Sequence, residues 1–167
     1  MRSLIVRRNL MHNRLSGVVI RLCCLWLLCT SCTDRTYYEQ YQTIDNKCWA
    51  KDAEYYFTFE ITDTSAAYDL TVEIRNNDRY PYQNLWLFHS EQHPSGPLVR
   101  DTTECLLADD YGRWLGTGIS LFQSSHTLRS SYHFKEAGSY TLAFRQGMRN
   151  EALPGIQQIG LRITQRP

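Results

Sequence analysis

Short runs in which every second residue is apolar recur along this chain, and they restrict its possible folds more than any other feature. In residues 55–61 the side chains of Tyr55, Phe57, Phe59 and Ile61 occupy alternate positions. A period of two residues is typical of a β-strand with one buried face. No stretch carries an apolar stripe of helical period over more than one or two turns, so little helix is expected.

Similar runs return along the whole chain, and turns rich in Gly, Pro, Asn and Asp separate them. About eight short strands with such turns favour antiparallel pairing in two packed sheets. We therefore predict an all-β fold, a single antiparallel β-sandwich that is jelly-roll-like and occupies residues 49–167.

Residues 75–88 are predicted to form a hairpin at the centre of this sandwich. Their turn contains Asn, Asp and Pro, which accept or fix unusual backbone dihedrals. Residues 85–88 are apolar without alternation, so we expect them to be covered on both faces, with Trp86 in the core. Three residues of the turn are expected to be exposed: Arg79, Tyr80 and Tyr82.

The first 31 residues have the layout of a signal peptide. They contain five arginines and no acidic residue, and residues 22–29 form an uninterrupted apolar run of eight. A membrane-spanning helix needs roughly 20 apolar residues, so this run is expected to serve export and not to span a membrane. Met11 is an alternative start, because Arg14 and Arg21 would still precede the apolar run.

The sequence Leu-Cys-Thr-Ser-Cys at residues 28–32 resembles the lipobox at which bacteria acylate a cysteine and cleave just before it. We predict that residues 1–31 are a lipoprotein signal peptide and that Cys32 carries the lipid, which would hold the domain on a membrane surface. Ordinary cleavage, which would leave Cys32 as a plain thiol, is the alternative. The polar, tyrosine-rich residues 32–48 are expected to be the acylated cysteine and a tether.

Removal of residues 1–31 leaves 13 basic against 17 acidic residues, a net charge of −4. A mildly acidic domain without a basic run lacks the electrostatic footprint of a nucleic-acid partner, so none is expected. Of the six cysteines, only Cys48 and Cys105 would then remain as thiols. In an oxidising compartment they could form a disulfide, and two buried thiols are the alternative.

Patterns that would indicate catalysis or metal binding are missing or misplaced. His89 and His93 are four residues apart, but the segment begins in a strand and ends before a proline, so the imidazoles should not converge on a metal. Asp109 and Asp110 are adjacent, and adjacent side chains of a strand point to opposite faces, which a glycosidase pair cannot use. We therefore expect no catalytic residue, no metal site and no cofactor.

Aromatic residues suggest a different kind of binding. An exposed row of Tyr and Trp on a sandwich face would suit a glycan, whereas aromatics in strands commonly pack in the core. Five aromatics are flanked by turns that could leave them exposed: Trp49, Tyr80, Tyr82, Trp86 and Trp114. A lipid-anchored glycan-binding sandwich is therefore the alternative function.

A set of spaced motifs runs through residues 37–164. They are Trp49, residues 57–59, Tyr68, Leu70, Arg75, residues 80–86, residues 107–109, Gly112, residues 114–116, Gly118, Gly138, Tyr140, Gln146, residues 148–149, Leu153, residues 155–156 and residues 159–161. In this order and spacing the motifs resemble the GldH family, the gliding motility lipoproteins of Bacteroidota.

This resemblance implies a membrane-anchored, non-enzymatic component of the machinery for gliding motility and type IX secretion, which acts through contacts with other envelope proteins. It implies no catalytic residues, and we expect anchoring in the outer membrane rather than the inner one. For the surface that binds a partner we select Arg79, Tyr80, Tyr82 and Trp114. We expect a buried charged network of Arg75, Asp109 and Arg149.

Overall fold

The computed structural model describes residues 35–166, so the predicted signal peptide, residues 1–31, and the predicted lipidation site Cys32 lie outside the described residues. This part of the chain contains ten strands: β1 (Thr36–Thr43), β2 (Cys48–Ala50), β3 (Glu54–Ile61), β4 (Tyr68–Asn76), β5 (Asn84–Gln92), β6 (Val99–Leu106), β7 (Phe122–Tyr132), β8 (Gly138–Gln146), β9 (Ala152–Pro154) and β10 (Ile156–Gln165). A short 3-10 helix, Asp45–Lys47, follows β1. Within residues 35–166, no helix has the length and apolar character needed to cross a membrane.

Eight of these strands form two four-stranded antiparallel sheets. The first sheet has the order β1-β10-β4-β7 and the second has the order β3-β8-β5-β6, while β2 and β9 form a separate two-stranded ribbon. In this order the first and last strands are neighbours and the chain passes repeatedly between the sheets, as it does in a jelly roll. The prediction of an all-β, jelly-roll-like antiparallel sandwich is confirmed.

The core consists of side chains that point from both sheets into the space between them. In β3, Phe57, Phe59 and Ile61 are buried, whereas Thr58 is exposed. The ring of Phe59 packs edge to face on that of Phe134, with 5.9 Å between ring centroids. Burial of one such side chain contributes about 1.5–3 kcal/mol, so the alternation determines which side of each strand turns inward.

Residues 75–88 do not form a hairpin, so this part of the sequence prediction is wrong. β4 lies in the first sheet and β5 in the second, and residues 77–83 carry the chain from one sheet to the other. Tyr80 stabilises this crossing, because its ring is buried and its hydroxyl donates to the carbonyl oxygen of Asn84 at 2.8 Å. Turn-forming residues suit either kind of connection, so their presence did not distinguish them.

The prediction that residues 85–88 are covered on both faces is also wrong. Leu85 and Leu87 are buried, whereas Trp86 and Phe88 are 40% and 43% exposed. β5 lies between β8 and β6, but the sandwich covers only the inner face of each sheet. Trp86 therefore lies on the outer surface and not in the core.

Residues 36–43, which the sequence assigned to a tether, form the edge strand β1. This strand pairs antiparallel with β10 along its length. The ring of Tyr37 packs on that of Tyr68 with 5.2 Å between centroids. The ring of Tyr38 packs on that of Phe59 at 5.5 Å. These tyrosines bind the strand to the core, and the folded domain therefore begins with β1.

Tyr41 covers a glycine on the outer face of the first sheet. It lies opposite Gly160 of β10, and a Cβ atom at that glycine would be 2.6 Å from the ring of Tyr41. The guanidinium of Arg75 is 4.0 Å from the centre of the same ring. Glu73, the partner of Gly160 on β4, is fully buried and pairs with Arg162 at 3.3 Å. The absent side chain at residue 160 thus leaves room for this polar cluster.

The predicted buried network of Arg75, Asp109 and Arg149 does not form. Arg75 donates from Nε to Oε1 of Gln123 at 2.9 Å. Asp109 pairs with Arg113 at 2.7 Å, and hydrogen bonds from the backbone N–H and guanidinium of that arginine help to lower the pKa of the carboxyl group. The side chain of Arg149 is exposed. Asp109 and Arg75 therefore serve separate local contacts.

The substitution Gly160→Ala is expected to destabilise the domain by about 1–3 kcal/mol, because the new methyl group overlaps the ring of Tyr41. Urea denaturation would measure the change. In a Tyr41→Ser background the same substitution should cost less than about 1 kcal/mol, since the ring is gone. An equal cost in both backgrounds would show that the ring does not constrain residue 160.

Leu87→Ala should reduce the free energy of unfolding by about 2–5 kcal/mol, because it opens a cavity in the core. Trp86→Ala is its matched control on the same strand and should cost about 1 kcal/mol, since only contacts across the sheet surface are lost. The two variants can be compared by thermal and urea unfolding. A larger loss from Trp86→Ala would contradict the placement of this side chain on the surface.

Candidate docking face on the second sheet

The outer surface of the second sheet carries large apolar side chains, although the solvated face of an antiparallel sheet is usually polar. We call this surface the docking face. It consists of the outward side chains of β3, β8, β5 and β6, together with Tyr82 and residues 147–150. Its exposed apolar side chains are Tyr56, Tyr82, Trp86, Phe88 and Leu106.

A groove of about 270 Å³, called here the Trp86 groove, lies at one end of the docking face. Its lining consists of Tyr82, Asn84, Trp86 and residues 147–150. The hydroxyl of Tyr82 donates to Oδ1 of Asn150 at 2.6 Å. This hydrogen bond joins the turn before β5 to the loop after β8, and both segments line the groove.

Gln146, which is buried, holds the loop wall of the groove. Its Oε1 accepts from the backbone N–H of Met148, and its Nε2 donates to the carbonyl oxygen of Asn150, both at 2.8 Å. The backbone N–H of Gly147 donates to the carbonyl oxygen of Trp86 at 2.7 Å. Hydrogen bonds therefore fix both walls, and binding would require little reordering of this backbone.

Two further hollows flank Phe88 on the docking face. One of about 290 Å³ extends toward Arg100, and another of about 360 Å³ extends toward Lys51. Arg145 lines both hollows, and its guanidinium carbon is 5.6 Å from the centre of the Phe88 ring. Trp86 and Phe88 are two residues apart on one strand, which separates them by about 7 Å. The face thus presents two neighbouring aromatics bordered by hollows.

Charges on the docking face have both signs. Arg100, Arg145 and Arg149 form no ion pair with a residue in the range 35–166. Glu54 and Glu104 lie on the same face and accept hydrogen bonds from neighbouring side chains. A face of this kind is suited to contacts through aromatic surface and individual hydrogen bonds rather than through net charge.

Of the four residues predicted to bind a partner, Tyr82 lines the Trp86 groove. Arg79 is exposed in the crossing between the sheets. Tyr80 is 3% exposed, so its prediction as an exposed docking residue is wrong, and burial raises the pKa of its hydroxyl. Trp114 is half-buried outside the groove, where its ring stacks on Phe122 with 5.7 Å between centroids.

Trp86 was considered as an exposed aromatic only for the glycan-binding alternative. The residues predicted to bind a protein partner included none of five that form much of the docking face: Trp86, Phe88, Arg145, Met148 and Arg149. A signal for two of them was present. Residues 84–92 can be read with a period of two that includes Leu85, Leu87 and His89, and this reading places Trp86 and Phe88 outward. The loop residues had no comparable signal, because their position depends on pairing between distant strands.

The histidines considered as metal ligands have separate partners. Nε2 of His89 is 3.1 Å from Oγ1 of Thr103, and burial lowers the pKa of this imidazole. Nε2 of His93 is 3.5 Å from Oε1 of Glu91. In the part of the chain that the structure describes, no group of three or more His, Cys, Asp or Glu side chains is placed to hold a metal ion.

Cys48 and Cys105 are not joined by a disulfide. The first lies in β2 of the small ribbon and the second in β6 of the second sheet. Burial raises the pKa of the Cys105 thiol to about 12. Since the thiolate is the reactive form of cysteine, this thiol is inert near neutral pH.

Comparison with known proteins identifies related sequences over most of the chain. The model of the family described as GldH lipoprotein matches residues 36–163. The gliding motility lipoprotein GldH homolog of Christiangramia forsetii is 32% identical over 145 residues, which cover 82% of this chain and 88% of that protein. The gliding motility lipoprotein GldH of Flavobacterium johnsoniae is 30% identical over 148 residues, which cover 84% and 91%.

Among solved structures, that of infectious bursal disease virus Gx strain is similar with a TM-score of 0.30 and 15% identity, covering 77% of this chain and 32% of that one. A likeness of this size establishes neither a shared fold nor a shared function. The family match, by contrast, runs from the start of β1 into β10, and the two relatives cover more than four fifths of the chain. The chain therefore belongs to the GldH lipoprotein family, as its motifs predicted.

Proposed function

We propose that this protein is a lipid-anchored, non-enzymatic component of the machinery for gliding motility and type IX secretion, and that it binds another envelope protein through the docking face. The assignment to gliding motility is supported by the two relatives, which are named gliding motility lipoproteins. The observation that carries the docking role is the Trp86 groove. Two segments that carry the family resemblance, residues 80–86 and 146–149, meet there around an exposed tryptophan.

The lipid anchor is proposed to be Cys32, in the outer membrane. Cys32 precedes Arg35, the first residue that the structure describes, by three positions. Three residues extend at most about 11 Å, so the start of β1 would be held close to the bilayer.

The Trp86 groove lies at the end of the sandwich that is opposite to the start of β1. Pairing places Thr36 beside Thr164 and the end of β10 beside Tyr68, at the start of β4. The other end of β4 leads through residues 77–83 to the start of β5, where the groove lies beside the end of β8. Strands of this length extend about 25–35 Å. The groove would therefore face away from the membrane and be open to a protein partner.

A lipid-anchored glycan-binding module is the second candidate function. It is favoured by the position of Trp86 and Phe88 as neighbouring exposed aromatics on one sheet face, because such rings can stack on sugars. Both candidates use the same surface and assign no catalytic residue. They differ in the ligand, which binding measurements can distinguish.

Cys32→Ser is expected to release the protein from the membrane fraction and to abolish labelling with radioactive palmitate, because no acyl chain then holds the domain. Cell fractionation and a labelled gel would measure both effects. Cys48→Ser, which alters a cysteine of β2 outside the lipobox, is the matched control and should remain labelled and membrane-bound. Labelling that persists in Cys32→Ser would show that another residue carries the lipid.

The double substitution Tyr82→Ala and Trp86→Ala should abolish colony spreading, or secretion of type IX substrates in a host that does not glide, while the protein stays folded and membrane-bound. The reason is that both side chains line the groove and most binding energy commonly comes from a few aromatic residues. Leu98→Ala, which alters an exposed apolar residue outside the groove, is the control.

Unchanged spreading and secretion in the double variant would overturn the proposed role. Retention of the wild-type protein on a polysaccharide column, lost in the double variant, would favour the glycan-binding candidate. Circular dichroism and thermal unfolding would confirm that the variants remain folded.

A further inference from the structure

We propose that the apolar loop, residues 107–121 between β6 and β7, is a second contact site for the same envelope protein that binds the docking face. This inference rests on the proposed function and extends it to a surface outside the second sheet. The loop would insert its apolar side chains into an apolar surface of that partner.

The apolar loop exposes many large apolar side chains for its length. Ile119 is 97% exposed, and three further large side chains of the loop are exposed: Tyr111, Leu115 and Leu121. Isolated apolar side chains are common on protein surfaces, but four within eleven residues form a concentration that often marks an interaction site. Their placement in a loop also suits binding, because loops commonly carry binding residues on a rigid scaffold.

Hydrogen bonds hold the backbone of the apolar loop in one conformation. The N–H of Leu115 donates to the carbonyl oxygen of Leu107 at 2.9 Å. Nearer the tip, Thr117 and Gln123 exchange two backbone hydrogen bonds, each of 2.9 Å. Gly118 has a φ of +140°, and a Cβ atom there would be 1.9 Å from the carbonyl oxygen of Leu121. The tight turn thus requires glycine, and it presents Ile119 to solvent.

Side-chain contacts also stabilise the apolar loop. The ring of Trp114 stacks on that of Phe122, the first residue of β7, with 29° between the ring planes. Oδ1 of Asp109 accepts from the backbone N–H groups of Tyr111 and Arg113 at 3.0 and 2.9 Å. Because the apolar loop is braced in this way, its exposed side chains would lose little conformational freedom on binding.

The apolar loop is joined directly to the wall of the Trp86 groove. The backbone carbonyl oxygen of Gln83 accepts from the N–H groups of Leu107 and Ala108 at 2.7 and 2.9 Å. The side-chain Nε2 of Gln83 donates to the carbonyl oxygen of Asp109 at 2.8 Å. Gln83 follows Tyr82, which forms the groove wall. One partner surface can therefore contact both the groove and the loop.

The position of the loop favours a protein partner over the anchoring bilayer. β6 ends and β7 begins at the end of the sandwich that is opposite to Thr36, as pairing of Leu106 with Asn84 and of Phe122 with Asn76 shows. A lipid on Cys32 would hold the Thr36 end at the membrane, which leaves the loop about 30 Å away along the strands. A second copy of this chain and a bilayer contacted by a tilted domain remain outcomes of the experiment.

The test uses the full acylated chain in its native cells, with the photo-cross-linking amino acid p-benzoylphenylalanine at residue 119 and, in a separate strain, at residue 86. Mass spectrometry identifies each cross-linked product. We expect one and the same envelope protein at both positions. In a strain that also carries Ile119→Asp, the cross-link from residue 86 should fall about tenfold, which corresponds to about 1.4 kcal/mol of binding free energy.

Thr64→Asp is the matched control, because Thr64 is exposed in the loop before β4, at the other end of the sandwich. It should leave the cross-link from residue 86 unchanged. Four results at these positions would overturn the inference. They are cross-links to different proteins at the two positions, a lipid adduct, a product of two copies of this chain, and the absence of any cross-link at residue 119. An unchanged cross-link at residue 86 in the Ile119→Asp strain would also overturn it.

These results separate the inference from the proposed function. If the groove variant loses spreading or secretion while Ile119→Asp retains it and its cross-link from residue 86, the docking face binds a partner and the apolar loop does not. If the groove variant retains spreading and secretion, the proposed function itself fails. Thermal unfolding of Ile119→Asp should match that of the wild type, because Ile119 is 97% exposed.

Discussion

The coverage of each sheet on one face only is the constraint on which the rest of this structure depends. It requires every second residue of a strand to point to the core and the next to point outward. In β5 the same alternation that buries Leu85 and Leu87 turns Trp86 and Phe88 outward. The strand pattern that builds the core therefore also builds the docking face, and exposed aromatic surface there is available for binding.

Alternation made much of the fold predictable, since Phe57, Phe59 and Ile61 are buried as their spacing indicates. It failed where local signals were ambiguous. A turn with Asn, Asp and Pro suits both a hairpin and the crossing that residues 77–83 make between sheets. The tyrosines of β1 carried no sustained period, so the strand is evident only from its pairing with β10 and from the contacts of these rings with Tyr68 and Phe59.

The Trp86 groove was less predictable than the fold because it joins distant parts of the chain. Tyr82 and Asn150 are 68 positions apart and meet only because β5 and β8 are neighbours in the second sheet. Spacing in the sequence contains no measure of such long-range pairing. The family motifs contained these residues, but they did not show that the motifs form one surface.

The proposed anchor would orient the sandwich relative to the membrane. A short link from Cys32 would place the start of β1 near the membrane, while the Trp86 groove and the apolar loop lie at the opposite end of the sandwich. Anchoring confines the domain to a surface and raises its effective concentration for partners there. If both surfaces bind the proposed partner, they would lie about 30 Å from the bilayer, and the partner would have to present its binding surface at that height. This geometry favours a partner with a domain outside the membrane over one that is buried in it.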